Sequence, residues 1–218
     1  MKHGFAPAGM TTEKAEVIVS HLQSRLADLI DLSLTLKHVH WNVVGFGFRS
    51  AHEMMDEQAD TVRGLIDEMA ERITTMGAIA AGLPGQVIDS RSSDADYSLG
   101  RGPVTAHFGA LDKVYERVIG HFRESIPAVE DDQVSQDLLI SQTATLDLNH
   151  WFIRAHLSDT EGDLATEGTQ DELEAAATSA SLMQPGGETE RAEDDQRTRE
   201  DDEGERDEEK DKELAPLT

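Results

Sequence analysis

LTLKHVHWNVVGFGFRSAHEMMDEQADTVRGLIDEMAERI, residues 34–73, is the stretch whose reading decides the fold. It consists of two helical patterns interrupted by the glycine-rich GFGF at 45–48. The pattern upstream reaches back to Thr11 or Thr12, where a helix is predicted to start with Glu13 and Glu16 in its first turns. Ile18, Leu22, Leu26, Leu29 and Leu36 then recur on one stripe, and His40 falls one turn beyond Leu36. Downstream, Ser50 with Glu53 three residues later reads as a capping box. The helix it opens is predicted to end near Gly77.

Working outward, residues 77–102 form a Gly/Pro/Ser-rich connection long enough to cross from one end of a bundle to the other. Pro103 suits the first turn of a third helix, which runs through Leu111, Val114, Val118 and Phe122 toward Pro127. A fourth spans about Asp132 to Leu157. Strand-like alternation is nearly absent. Four long helices with one long middle connection predict an all-α, ferritin-like four-helix bundle.

Composition sets the boundaries of that bundle. The chain has 218 residues, 44 acids, 19 bases and a formal charge of −25. Met1 to Leu157 holds 22 acids and 13 bases, whereas Ser158 to Thr218 holds 22 acids and 6 bases. That second stretch has no Trp, Tyr, Phe, Ile or Val. Low hydrophobicity with high net charge does not offset the entropy of ordering a chain. The expected organisation is a flexible N-terminal arm over 1–10, the bundle over 11–157, and a disordered acidic tail over 158–218. One weak helix is allowed at DELEAAATSASLM, 171–183. Without cysteine there is no disulfide framework, thiol nucleophile or Cys-type zinc site, which fits a cytoplasmic setting. No apolar run reaches the length of a membrane span, and the N-terminus shows no signal-peptide pattern.

The chemistry lies on the second helix. With His52 at 0° and about 100° per residue, Asp56 falls near 40°, Asp67 near 60° and Glu71 near 100°. Met55, Ala59, Val62, Leu65, Ile66, Met69 and Ile73 occupy the opposite arc. A strip of one His and three carboxylates therefore runs beside the apolar face. Acids four residues apart on an acidic helix ordinarily form a solvated face, and one geometric point weighs against that. Asp56 and Asp67 are separated by roughly 16 Å along the helix and do not reach one metal within a chain. Two copies packed antiparallel about a two-fold axis would bring His52 and Asp56 of one opposite Asp67 and Glu71 of the other. Imidazole with carboxylates suits iron or manganese. Asp60 and Arg63, on the same strip, suit a salt bridge across that interface.

Residues 34–73 resemble the signature of the Dps family, the miniferritins named for DNA protection in starved cells. H-W-N at 40–42, H-x3-D at 52–56 and D-x3-E at 67–71 leading into E-R carry the resemblance. VSQDLLI (134–140) and HWFIRAHL (150–157) also resemble the family's fourth helix, most closely in its actinobacterial members. The resemblance covers about residues 11–157 and implies a hollow homo-oligomer, a dodecamer, that oxidises Fe(II), preferably with hydrogen peroxide or else with oxygen, and stores Fe(III) mineral. It implies His40, His52 and Asp56 as iron ligands from one subunit, with Asp67 and Glu71 from its two-fold mate. Trp41 stands where the family has a Trp beside the iron site; a packing role fits it as well. Glu130, Asp131, Asp132 and Asp137 resemble acidic iron-entry pores, and a helix N-terminus that favours negative charge explains them nearly as well.

Two other readings frame this one. A 24-subunit ferritin would need Glu-x-x-His on two helices, and none occurs in 11–157. A nucleoid or partner-binding cage acting through its tail is the alternative function. Family members that bind DNA do so with Lys/Arg-rich extensions, whereas the six tail bases here stand among 22 acids. We therefore expect no appreciable DNA binding: a gel-shift titration at about 150 mM salt without divalent cations should show free DNA throughout.

Overall fold

The computed structural model describes residues 5–91 and 96–182. The element order is α1 (Thr12–Asn42), β1 (Val43–Val44), α2 (Phe48–Thr75), α3 (Pro84–Ser90), β2 (Gly102–Pro103), α4 (Val104–Ala128), α5 (Gln133–Ala155) and α6 (Glu172–Leu182). Residues 1–179 form one compact unit. The remainder, 180–218, is a separate unit of which only 180–182 are described.

The four long helices lie where apolar periodicity put them. Thr11 caps α1, its hydroxyl accepting from the Lys14 amide, and Asp132 caps α5 through the Ser135 amide. α1 packs most extensively on α2, and α4 on α5; α1 also packs on α4 and α2 on α5. Leu22, Leu26, Leu29 and Leu36 of α1 meet the same core as Met55, Met69 and Ile73 of α2, all fully buried. Phe108, Tyr115 and Phe122 of α4 and Leu139, Leu146 and Ile153 of α5 complete it. Inside it, the Tyr115 hydroxyl donates to Gln58 Oε1 at 2.8 Å, and Gln58 Nε2 donates to the Asn149 carbonyl at 3.0 Å. These bonds satisfy polar groups that would otherwise be costly in an apolar interior. Among the described residues no helix is long and apolar enough to cross a membrane.

Local details depart from the sequence reading. The capping box at Ser50 does not form: α2 begins at Phe48 with Gly47 as its cap. Gly45 and Gly47 take positive φ, 90° and 74°, so the turn out of α1 is tight enough to start α2 three residues early. Glu53 pairs instead with Arg49 at 2.9 Å. Pro103 sits one residue ahead of α4, as its cap. The long connection carries the short α3 and the strand β2, which pairs in parallel with β1 through Val43↔Gly102 and Val44↔Pro103. The end of the crossing is thereby tied to the turn between α1 and α2.

The expected tail boundary at Ser158 moves outward, because residues between 158 and 179 are packed against α4. Asp112, fully buried, accepts from His150 Nε2 and Arg154 Nε at 2.7 Å each and from the Thr166 hydroxyl at 2.6 Å. Arg117 on α4 pairs with Glu172 on α6 at 3.3 Å. Gly109 faces the Ala175 carbonyl so closely that a Cβ there would stand 2.4 Å from its oxygen. Composition concealed this docking, since it depends on a few specific polar bonds and small residues rather than on bulky apolar ones. The disorder expected over 183–218 and the first residues of the N-terminal arm, 1–4, lie outside the described residues.

Burial acts to raise the Asp112 carboxyl, but hydrogen bonds from His150, Arg154 and Thr166 outweigh it and hold the group well below the usual carboxylate range. A depressed carboxyl contributes stability that is complete above about pH 4 and is lost as pH falls toward its folded value. Thr166→Val should cost about 1 kcal/mol and Asp112→Asn about 3 kcal/mol at pH 7, read by denaturant titration. In both variants limited proteolysis should cut within 158–171 sooner than in the wild type.

Candidate metal centre

Two histidines from different helices meet where α1 ends and α2 begins. The His40 and His52 rings stack with centroids 3.7 Å apart and planes 18° off parallel. His40 Nδ1 lies 2.7 Å from the His52 carbonyl, and His52 Nδ1 lies 2.8 Å from the His40 carbonyl. A carbonyl only accepts, so each Nδ1 carries a proton, which leaves Nε2 as the nitrogen whose lone pair can meet a cation. Protonation of the far nitrogen against a carbonyl is the arrangement that orients a ligating imidazole. Both rings are half-buried, and Phe48 packs on His52 at 5.1 Å.

One turn along α2, Asp56 feels both imidazoles and pairs with Lys37 of α1. The Lys37 hydrogen bond is the main cause that holds the Asp56 carboxyl below its ordinary value. Lys37 went unnoticed in the sequence, though its position one turn before His40 could have marked it. Trp41 is 70% exposed and lies with its ring 5.9 Å from the Lys37 ammonium. It lines an open groove of about 580 Å³ with Ile30, Leu34, Val87, Ile88 and Arg91.

Asp67 and Glu71 are exposed on the same strip of α2, roughly 16 Å and more beyond Asp56. A single chain thus brings His40, His52 and Asp56 into one neighbourhood and leaves the other two acids apart. Among the described residues of one chain, no three His, Asp or Glu side chains come close enough to hold a metal ion by themselves. Asp60 pairs within its own chain, with Arg63 at 3.0 Å.

The acids singled out at the start of α5 divide. Asp132 is buried, caps α5 and pairs with Arg72 of α2, whose Nε also donates to Ser135 Oγ at 2.9 Å. Burial acts to raise its carboxyl, and the Ser135 and Arg72 bonds more than reverse this. Asp137 is exposed. Other histidines of the bundle have local partners: His38 bonds the Leu99 carbonyl at 2.8 Å, and buried His107 accepts from or donates to the Tyr97 hydroxyl at 3.0 Å. Trp151 and Phe152 stay 59% and 40% exposed, so they do not pack into the core of this subunit.

A ferritin-like domain profile matches residues 19–162, which takes in α1 to α5 entire except the first turns of α1. The chain is 49% identical over 173 residues to a protein of Mycolicibacterium smegmatis named DNA protection during starvation protein, covering 79% of this chain and 94% of that one. A solved Mycobacterium smegmatis Dps structure aligns with a TM-score of 0.74 at 48% identity, over 78% of this chain and 97% of that one. DpsA14 from Streptomyces coelicolor aligns with a TM-score of 0.73 at 44% identity, over 75% and 98%. The chain belongs to the Dps family of ferritin-like proteins.

The contacts of Asp132 make it a structural acid within the subunit. Asp132→Ala should cost about 2 kcal/mol of stability, measured by thermal or denaturant unfolding, through loss of the cap and of the half-buried Arg72 pair. Asp137→Ala should be neutral within about 0.5 kcal/mol in the same measurement.

Proposed function

We propose that this protein is an iron-storing ferroxidase whose sites form between two subunits, each site taking His40, His52 and Asp56 from one and Asp67 and Glu71 from the other. The observation that carries this reading is the reciprocal bonding of His40 and His52. Two imidazoles fixed as Nδ1–H tautomers keep both Nε2 lone pairs for a cation, while the carboxylates that would complete the set sit on the same strip beyond the reach of one chain. Exposed Leu34, Trp41, Leu83 and Ile88 border that region and supply apolar area for two copies to bury.

Iron is the substrate. Carboxylate oxygens and imidazole nitrogens accept Fe(II) and favour Fe(III) still more, since hard donors stabilise the higher charge. Two Fe(II) held close together give their electrons to one hydrogen peroxide, which with two protons becomes two waters, so no hydroxyl radical is released. Asp67 and Glu71, exposed and acidic, offer the charge that draws Fe(II) in. Glu130 and Asp137, exposed acids of the cluster around the start of α5, remain open to an incoming cation. The ferric product is stored inside a hollow dodecameric shell in the cytoplasm, protecting the cell under oxidative stress; DNA is not required for this activity.

Anaerobic loading with Fe(II) followed by hydrogen peroxide tests the reading. Wild type should oxidise iron faster than buffer and retain it on gel filtration. Glu71→Ala and His52→Ala should each slow oxidation at least about tenfold, the scale on which single ligands act. Wild type that matches the protein-free control would overturn it.

A further inference from the structure

The chain has two tyrosines, and their hydroxyls meet chemically opposite partners. Tyr115, in the bundle core, donates to the Gln58 amide oxygen, a hydrogen-bond acceptor that is not a base. Tyr97, on the crossing between α2 and α4, has its hydroxyl 3.0 Å from Nδ1 of His107. The hydroxyl is the donor of that bond: in the reverse direction its proton would have only the His107 carbonyl, at 3.4 Å. His107 is fully buried, and its Nε2 meets no hydrogen-bond partner among the described residues. Burial, with His38 nearby, pulls the ring down to about 4, so it rests as a neutral base. Burial and Glu172 push the Tyr97 phenol up, so its proton stays in place at rest. Tyr97 is half-buried rather than sealed, because it lines the open groove that Trp41 and Ile88 also border.

We propose that Tyr97 and His107 form a redox-active pair: Tyr97 gives one electron to an oxygen-centred radical that reaches the groove, and its phenolic proton moves to His107 Nδ1. The step balances. The oxidant radical becomes an anion, the O–H bond of Tyr97 breaks, an N–H bond forms on His107, and a neutral tyrosyl radical is left beside an imidazolium. An oxidised phenol is a far stronger acid than an imidazolium, so even a weakly basic ring accepts its proton. The acceptor already stands at hydrogen-bond distance, as a positioned base must. Tyr115 has no such outlet: electron loss there would strand a proton in an apolar core, where unpaired charge is costly. The pair is reset when a reductant returns one electron and the proton goes back to the Tyr97 oxygen. Fe(II), the substrate proposed above, is such a reductant and leaves as Fe(III). The pair itself needs neither a second subunit nor a bound metal, so it stands apart from the two-subunit reading.

The test is made on full-length, metal-free protein. Photogenerated ruthenium(III) tris(bipyridine), a one-electron probe, oxidises it, and the product is followed by electron paramagnetic resonance and transient absorption. Wild type should give a neutral tyrosyl radical, Tyr115→Phe should give the same signal, and Tyr97→Phe should lose it. The wild-type rate should fall in deuterated water, since the proton moves with the electron. His107→Gln, which keeps a hydrogen-bond acceptor but not a base, should slow radical formation about a hundredfold, the lower end of what a positioned base contributes. Absence of a tyrosyl signal in wild type, a signal that survives Tyr97→Phe, or an equal rate in His107→Gln with an intact fold by circular dichroism would overturn the pair. If His107→Gln does not fold, the wild-type rate decides: equal rates in ordinary and deuterated water overturn it too.

Discussion

The reciprocal pair in which His40 and His52 each donate to the other's carbonyl is the constraint on which the functional end of the molecule depends. It ties the last turn of α1 to the second turn of α2 across the Gly45–Gly47 turn, and gives the His40 carbonyl, one of the last of α1, a partner. The same two bonds fix both ring tautomers and hold the rings face to face. One interaction therefore sets the entry angle of α2, the register of α1 on α2 and the chemistry of two side chains. Lys37 and Asp56 repeat the linkage one turn further along, in charge rather than in neutral hydrogen bonds.

Beyond that pair, the bundle is closed by buried ion pairs, one of which recruits sequence from outside the four helices. Asp112 gathers α5 and the segment after it, and Arg72 gathers the start of α5 to the end of α2. Both acids are buried, and both are surrounded by enough donors to stay ionised. Buried carboxylates of this kind are costly without partners and specific with them. An acidic chain thus uses buried carboxylates such as these for architecture while leaving Asp67, Glu71 and Asp137 in water.

The long helices were legible because burial of an apolar stripe leaves a periodic trace: Leu22, Leu26, Leu29 and Leu36, or Met55, Val62, Met69 and Ile73, are spaced by the turn of a helix. The start of α1 at Thr11 or Thr12 was legible for a similar reason, since a short polar side chain before an apolar run meets orphan amides; Asp132, read as a pore acid, turned out to cap α5. The strip of His52, Asp56, Asp67 and Glu71 was legible as a strip. Ser50 misled, because a capping box is a local preference and the positive φ of Gly47 started the helix earlier.

What the sequence determined by itself, then, is what helical period governs: four helices, their buried faces and the crossing between the second and third; the family came from the resemblance carried by the motifs at 40–42, 52–56 and 67–71. Tertiary structure alone decided which groups meet across elements. The His40–His52 stack, the Lys37–Asp56 pair, the parallel contact of Val43–Val44 with Gly102–Pro103 and the docking of 158–179 on Asp112 and Gly109 all join residues that share no periodic relation. A pairwise contact between distant segments leaves no repeating signal in one chain, and its energy comes from geometry that exists only after the helices have packed.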